Sequence, residues 1–206
     1  GRIRYHLGSK TYVEEAIRKV KSLLEEAGRK IPYPTKCPMD KDLKPELDTS
    51  RFCNAGEHRL YMQLMGIFLW IVRLGRVDLG FPISSLSRFS ALPRIGHLEH
   101  LEKVFGYLLK FPDKQIPVNA RPFDPPEGAE LFSKDREVMQ RIYPEAYEEI
   151  DTSFPEPKGH PIQTTIWYDS NWAHDQVTRR SNTGLMAYVG GTLVKAYSKR
   201  QGAIAA

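Results

Sequence analysis

Eight prolines between positions 117 and 161 divide this sequence into two parts that cannot share one regular element. Proline lacks a backbone N–H and clashes with the preceding helical turn, so prolines at this density interrupt helices and strands alike. The same stretch is acidic, because residues 121–160 hold ten Asp or Glu against five Lys or Arg. We therefore predict a module at 1–115, an extended acidic linker at 116–161 and a second unit at 162–206.

Apolar residues in the first part recur at helical spacing. Thr11 and Glu14 have the spacing of a capping box, and Gly28 is placed to end the first helix. Further helices are predicted over 57–72, from Asp78 as an N-cap to about 89, and over 97–110, with an extended crossing at 31–54. Trp70 and Phe105 are predicted core residues. The stripe of the first helix consists of Val13, Ile17, Val20, Leu24 and Ala27.

The last part changes to a period of two. Apolar and polar residues alternate over 162–169, which is typical of a β-strand, and two further strands are predicted at 185–189 and 193–197. Gly190-Gly191 between them predicts a hairpin turn with positive φ at both positions. Residues 202–206 would begin a helix. The fold class is therefore α+β, with a helical module, a linker and a partial antiparallel sheet of three strands.

Bulk properties narrow the classes of function. The sequence has a formal charge of +5 and a pI near 9.1, and basic residues outnumber acidic ones at both ends, eight to four in 1–30 and five to two in 163–206. This suits nucleic-acid contacts at either end, although scattered surface charge would give similar counts. The sequence contains no long apolar run and no signal-type segment, so it predicts neither membrane insertion nor secretion. Cys37 and Cys53 lack zinc-site spacing, and we predict that both are free thiols.

Asp169 is the residue that could carry chemistry. It follows an apolar strand, and carboxylates at strand ends commonly hold Mg²⁺ because hard cations bind oxygen ligands on a rigid frame. A turn-forming or N-cap role is the alternative for an Asp in this position. A two-metal nuclease also needs several converging carboxylates, and no partner of that kind follows in the sequence. The sequence alone leaves both roles open.

Two basic clusters follow Asp169. Arg179 and Arg180 lie beside Ser181 in a predicted loop, and Lys199 and Arg200 repeat the mixture of cations and hydroxyls near the end. Guanidinium groups match phosphate oxygens in charge and in geometry, so these residues are candidate nucleic-acid contacts, with a solvated surface loop as the alternative. His97 and His100 have no third zinc-ligand candidate nearby and are interpreted as solvated residues at a helix start.

Three segments, in order, resemble one family, the reverse transcriptase and ribonuclease H region of copia-type LTR retrotransposon polyproteins. The first is 61–70 (YMQLMGIFLW) with 75–79 (GRVDL) and 86–89 (LSRF). The second runs from His97 to the helix end at 107–110 (YLLK). The third, and most specific, comprises 169–175 (DSNWAHD), 179–184 (RRSNTG) and 197–201 (YSKRQ).

The resemblance implies that the two ends of the chain correspond to different domains of the family's polyprotein. Residues 1–115 would form the thumb and connection of reverse transcriptase, and 163–206 the first three strands of ribonuclease H, with Asp169 as the first-strand carboxylate that holds Mg²⁺. No Tyr-x-Asp-Asp polymerase motif occurs, and the family's next ribonuclease H acid would come after Ala206. Val77 and Asn171 also depart from the family pattern. The chain alone is therefore expected to lack both activities.

The expected partners are RNA:DNA hybrid or another nucleic acid and the remainder of the polyprotein, with no membrane. In the intact protein, Mg²⁺-dependent hydrolysis of the RNA strand is expected, in the cytoplasm within a virus-like particle or in the nucleus. Two alternatives stay open: a non-catalytic nucleic-acid-binding remnant of a degenerate element, and a helical protein-interaction domain with an accidental hairpin.

Overall fold

The structure, a computed structural model, describes residues 5–119 and 162–204, together with the single positions 121, 141, 153, 155 and 159. Its first range contains the helices α1 (Lys10–Glu26), α2 (Ala55–Arg73), α3 (Gly80–Ser87) and α4 (Ile95–Lys110). Short 3-10 turns at Pro45–Leu47 and Val77–Leu79 precede α2 and α3. Each predicted helix of this range overlaps an observed one, so the helical part of the α+β prediction is confirmed.

The helices pack their apolar faces into one core. Helix α1 contributes Val13, Val20 and Leu24, each at most 1% exposed, and these residues belong to the stripe predicted from spacing. Burying a side chain of this size stabilises the fold by about 1.5–3 kcal/mol. The facing residues come from the other helices and include Leu60, Tyr61, Leu64, Phe68, Ile71, Ile83, Leu86, Leu98, Leu101, Phe105 and Leu108.

Helix α2 buries only one of its faces. Trp70 is 54% exposed, so its predicted core position is wrong, whereas Phe105 of α4 is fully buried as predicted. In a nearly continuous apolar run, periodicity cannot decide which positions point inward. Phe68 and Ile71 lie on the core side instead, three positions apart and both fully buried.

Two helix starts differ in how they are capped. Asn54 Oδ1 accepts a hydrogen bond from the Glu57 backbone N–H (2.9 Å), and the Glu57 carboxylate accepts one from the Asn54 N–H (2.8 Å). This reciprocal pair is a capping box. The capping box predicted for Thr11 and Glu14 is wrong, because α1 already includes Thr11 and the preceding Ser9 makes no side-chain cap bond.

Residues 162–204 contain an antiparallel sheet of three strands that lie side by side in chain order, while β1 (His6–Leu7) and β2 (Ile116–Pro117) form a separate short pair. The strands are β3 (Thr164–Asn171), β4 (Arg180–Val189) and β5 (Thr192–Ile204), so the three predicted strands are confirmed. The helix predicted from residue 202 is wrong, because β5 continues to Ile204, which pairs with Arg180. A free neighbouring strand supplied hydrogen-bond partners that local sequence could not reveal.

The β4–β5 hairpin turns at Gly190-Gly191, but only Gly190 has positive φ (56°). The positive φ predicted for Gly191 is wrong, but glycine is still favoured at this position for another reason. A Cβ there would lie 2.6 Å from Asn119 Nδ2, so close approach to a neighbouring segment favours glycine. Asn119 also accepts hydrogen bonds on its carbonyl oxygen from Gly191 N–H (2.9 Å) and the Thr192 hydroxyl (3.1 Å).

The predicted crossing at 31–54 is confirmed as irregular, apart from one 3-10 turn, and it lies across α4. Thr35 N–H donates to the carbonyl oxygen of Gly106 (3.1 Å), and an added Cβ at Gly106 would lie 2.6 Å from the backbone oxygen of Tyr33. Most of the predicted linker at 116–161 lies outside the described residues. Among the helices that the structure describes, none combines the length and apolar character needed to cross a membrane.

Candidate functional site

An open groove separates the helical part from the sheet. Its volume is about 1100 Å³, and residues of α2, α3 and all three strands line it. Apolar side chains predominate on both walls, with Asp78 and Arg73 on the helical side and Asp169 on the sheet side. The predicted catalytic residue, Asp169, borders this groove. Its apolar wall residues include Leu69, Phe81, Ile83, Met186 and Leu193.

Asp169 lies near the end of β3, opposite Gly184 of β4, and its side chain is exposed. Because Gly184 has no side chain, the space beside the carboxylate stays open. Within residues 5–119 and 162–204, no group of three or more His, Cys, Asp or Glu side chains could hold a metal ion. The described residues therefore supply Asp169 as a single oxygen ligand, which is too few for the two-metal chemistry of a nuclease.

The candidate binding residues that follow Asp169 differ in their exposure to solvent. Arg179 is exposed in the β3–β4 loop. Its φ of 57° is a left-handed conformation that is unfavourable for residues other than glycine. Arg180 begins β4 and is half-buried. Ser181 is 5% exposed, and its hydroxyl accepts a hydrogen bond from the Ala173 backbone N–H (3.0 Å). Arg179 is thus the most accessible of these three candidates.

Lys199 and Arg200 lie on opposite faces of the sheet, because neighbouring residues of a strand alternate. Arg200 pairs with Asn182, and Ser198 pairs with Gly184, which in turn pairs with Asp169. Arg200 and Asp169 therefore share the face that borders the groove. The structure brings Arg200 to that face and separates Lys199 from it.

Asp175 is the centre of a buried ion cluster that joins the two parts of the chain. Its side chain is 1% exposed, its carboxylate forms an ion pair with Arg88 at the end of α3, and Arg200 Nη1 lies 3.8 Å from Oδ2. Oδ1 accepts hydrogen bonds from the backbone N–H groups of Val177 (3.0 Å) and Thr178 (2.7 Å). Both oxygens are thus satisfied, as a buried charge requires.

The loop around Asp175 makes further contacts with the helical part. His174 Nδ1 lies 3.4 Å from Lys44 Nζ, and its ring meets Phe81 edge-on at 6.2 Å. Burial and the nearby Lys44 charge lower the pKa of His174. The Gln176 backbone N–H donates to the Glu46 carboxylate (3.1 Å). The loop between β3 and β4 is therefore held from two sides.

A second ion pair lies on the helical wall of the groove. Arg76 is 2% exposed and donates two hydrogen bonds to Asp78, at 3.0 and 2.9 Å, while the Tyr107 hydroxyl donates to Asp78 Oδ2 (2.9 Å). Burial would raise the pKa of Asp78, but the hydrogen bonds and the nearby cations outweigh it and lower that pKa. The predicted N-cap role of Asp78 is wrong, because α3 has no side-chain cap.

His97 is buried rather than solvated, which corrects the sequence interpretation. Its Nε2 lies 2.8 Å from the Pro45 carbonyl oxygen, and its Nδ1 accepts a hydrogen bond from the Arg94 N–H (3.1 Å). The ring stacks on Phe89 with centroids 4.0 Å apart. Burial lowers the pKa of His97, whose ring lies between the 3-10 turn at Pro45–Leu47 and Phe89.

Sequence reasoning did not assign a role to Arg88 or Asp175. Both occur in segments that carry the family resemblance, LSRF and DSNWAHD, but they are 87 residues apart. The sequence indicates only the local turn at Asp175, because Asp commonly accepts hydrogen bonds from backbone N–H groups two and three residues ahead. Nothing in the local sequence pairs Asp175 with Arg88.

Comparison with known proteins finds one partial similarity. A stretch of 48 residues is 42% identical to a Saccharomyces cerevisiae protein named "Putative transposon Ty5-1 protein YCL074W". This stretch covers 23% of this chain and 16% of the yeast protein. The chain thus matches only a small share of that relative's length. No protein-family profile matches the chain, and no solved structure matches it. Part of the chain is therefore similar to a transposon protein.

Proposed function

We propose that this chain is a segment of a copia-type retrotransposon polyprotein in which reverse transcriptase continues into ribonuclease H, and that it binds RNA:DNA hybrid. The partial similarity to a transposon protein supports the retroelement relation. The observation that carries the proposal is the ion cluster at Asp175, where residues from LSRF, DSNWAHD and YSKRQ meet. Segments that resemble one family thus also contact one another in the fold.

Binding to hybrid would rest on phosphate contacts by the basic residues of the sheet. Arg179 is the leading contact because it is exposed and its side chain has no ion-pair partner among the described residues. Arg180 and Arg200 would add positive charge beside it, whereas Lys199 lies on the other face of β5, away from these residues. Ser181 would act by holding the loop, since its hydroxyl is buried. Each phosphate neutralised releases counterions, so affinity should fall steeply with salt.

In the longer protein, Asp169 would contribute one oxygen ligand to Mg²⁺ for hydrolysis of the RNA strand. Bound Mg²⁺ would activate water and stabilise the leaving oxygen in such a nuclease. The carboxylates of the described residues do not make up that site. Hydrolysis is therefore proposed for the longer polyprotein, with the role of this chain limited to placing Asp169 at an open edge of the groove.

The binding proposal is tested with a fluorescein-labelled RNA:DNA hybrid and fluorescence anisotropy over a series of salt concentrations. We expect log affinity to fall linearly with log salt, and Arg179→Gly to reduce the slope by about 1. Glycine suits the left-handed conformation at this position, so the variant should fold normally. Arg18→Gln, an exposed change on α1, is the matched control. Salt-independent binding, or none, would refute the proposal.

The nuclease proposal needs the longer polyprotein. Mg²⁺-dependent cleavage of the RNA strand should be abolished by Asp169→Asn, while hybrid affinity measured in EDTA should remain. Cleavage that survives this substitution would remove Asp169 from the mechanism. The alternative function, a non-catalytic nucleic-acid-binding remnant, predicts the same affinity and no cleavage by the unmodified longer chain. The observation that favours it is that Asp169 is the single carboxylate on the sheet side of the groove among the described residues.

A further inference from the structure

One face of the sheet presents aromatic rings to solvent in a single row. Tyr168 pairs with Leu185, which pairs with Tyr197, so these three side chains lie side by side across β3, β4 and β5. Tyr168 is 70% exposed and Tyr197 is 42% exposed. By strand alternation, this face lies opposite the one that carries Asp169 and Arg200. We call the surface formed by Tyr168, Leu185, Tyr197, Lys195 and Lys199 the tyrosine face.

Positive charge flanks the tyrosine row on both sides. Lys199 pairs with Thr183, and Lys195 pairs with Ala187, so each lysine lies one row from the tyrosines on the same face. Both lysines are exposed. The three strands contain a single acidic residue, Asp169, and it lies on the other face. The tyrosine face therefore combines aromatic rings with positive charge that no acidic side chain of the three strands offsets on that face.

The composition of this surface suits an unpaired strand of nucleic acid. Neighbouring strands lie about 4.8 Å apart, so the two tyrosines are separated by about 10 Å across the sheet, and each lysine lies about 7 Å along the strand from a tyrosine row. Unstacked bases pack on exposed aromatic side chains, while lysines attract the phosphates between them. Bases within a duplex are already stacked and cannot use such rings.

We propose that the tyrosine face binds single-stranded nucleic acid, with bases stacked on Tyr168 and Tyr197 and phosphates near Lys195 and Lys199. This goes beyond the proposed hybrid binding, because it names a different ligand on the opposite face and assigns Lys199 to that ligand. Self-association through this face is disfavoured, since it would bring the lysines of two copies together. An acidic single strand complements the surface, and a second copy does not.

The proposal is tested with the full 206-residue chain and fluorescein-labelled oligo(dT) and oligo(U), using anisotropy at low and moderate salt. Tyr168→Ala and Tyr197→Ala should each weaken binding about tenfold, the range found when stacking on one base is lost. Tyr168→Phe and Tyr197→Phe should retain most of the affinity because the ring remains. Tyr33→Ala, which removes a tyrosine that is 90% exposed elsewhere, is the matched control and should change nothing.

Lys195→Gln and Lys199→Gln should each lower the salt slope by about 0.7, the value for one phosphate of a single strand. Circular dichroism of every variant checks that the fold is kept. The proposal is overturned if folded Tyr168→Ala/Tyr197→Ala binds oligo(dT) as tightly as the unmodified chain, or if neither oligonucleotide binds. It is also overturned if sedimentation shows a dimer that these substitutions dissociate.

The hybrid assay separates this proposal from the previous one. Hybrid affinity should be unchanged by the tyrosine substitutions and reduced by Arg179→Gly, whereas oligo(dT) affinity should show the reverse pattern. Loss of hybrid binding with retained oligo(dT) binding refutes only the function proposed above. Tyrosine variants that lose affinity for both ligands equally would mean one shared surface, which contradicts the assignment made here.

Discussion

At the residue scale, buried charges determine which single changes the fold can tolerate. Asp175 is 1% exposed, and its partner Arg88 is 9% exposed in its side chain. Removing one member of such a pair leaves the other charge without water or a counterion, which costs more than the pair itself contributes. The same reasoning applies to Arg76 and Asp78, which are joined by two hydrogen bonds.

Asp175→Asn should lower the free energy of unfolding by about 3–5 kcal/mol, because Arg88 stays buried without its counterion. Urea denaturation followed by circular dichroism measures the change. Asp113→Asn, in an exposed pair with Lys10, is the control and should cost at most about 1 kcal/mol. The double variant Arg88→Met/Asp175→Leu should be more stable than Asp175→Asn; equal or lower stability would contradict the buried-charge account.

Glu57 should give the fold an acid-sensitive element. Hydrogen bonds from Arg51 and from the Asn54 backbone lower its pKa from 4.5 to about 2. Because the folded-state value is the lower one, the stabilisation is complete above pH 4.5 and is lost as pH falls toward 2. Urea midpoints of the unmodified chain and of Glu57→Gln should therefore converge across that window. A constant difference between the two would contradict the assignment.

At the element scale, the segment 31–54 acts as a strap across α4, and glycine permits the close contact. The Tyr33 carbonyl oxygen lies 2.6 Å from the position that a Cβ at Gly106 would take. The helix and the strap thus depend on each other, although neither carries a local signal for the contact. Hydrogen bonds from the strap, such as Thr35 N–H to the Gly106 oxygen, add to this dependence.

Gly106→Ala should destabilise the chain by about 1–3 kcal/mol, because an overpacked backbone contact must open. Gly66→Ala in α2 is the matched control, since nothing lies within 4 Å of the added Cβ. Alanine is the better helix former, so this change should stabilise by about 0.5–1 kcal/mol. Thermal unfolding of both variants gives the comparison, and two shifts of the same sign would disprove the packing argument.

At the scale of the whole molecule, the hydrophobic core belongs to the helical part. All the residues of the core cluster lie between positions 13 and 108. Among the described residues of the sheet part, Ala173 is the sole buried hydrophobic residue. Three strands need a hydrophobic face packed on something to be stable. The sheet is therefore expected to depend on the polar contacts with α3, which include Ser84 Oγ donating to the Ser198 oxygen (2.9 Å).

A fragment of residues 1–119 should keep its helical circular dichroism, whereas a fragment of residues 162–206 should be unfolded alone. In the full chain, Asp175→Asn should speed amide hydrogen exchange in β3–β5 more than in α1 and α2, because the cluster holds the sheet to α3. Circular dichroism measures the structure of the two fragments, and mass spectrometry of exchanged peptides measures the exchange rates in the strands and helices. A stable, slowly exchanging sheet in the isolated fragment would contradict this dependence.

Helices and strands could be predicted here because their signals are local. Val13, Val20 and Leu24 recur at helical spacing, and residues 162–169 alternate, so each pattern names its own element. Three of the failures share one cause. Trp70, the extra strand residues at 202–204 and His97 each depend on neighbours distant in sequence.

The candidate site divides in the same way. The chain's residue pattern predicts that Asp169 ends a strand and that basic residues follow it. Whether a carboxylate has partners, which face a lysine shares, and which arginine neutralises Asp175 depend on strand pairing and on the approach of α3. Those are distances in space, set by packing between segments far apart in sequence, such as Arg88 and Asp175 at a separation of 87 residues, and the order of residues along the chain does not contain them.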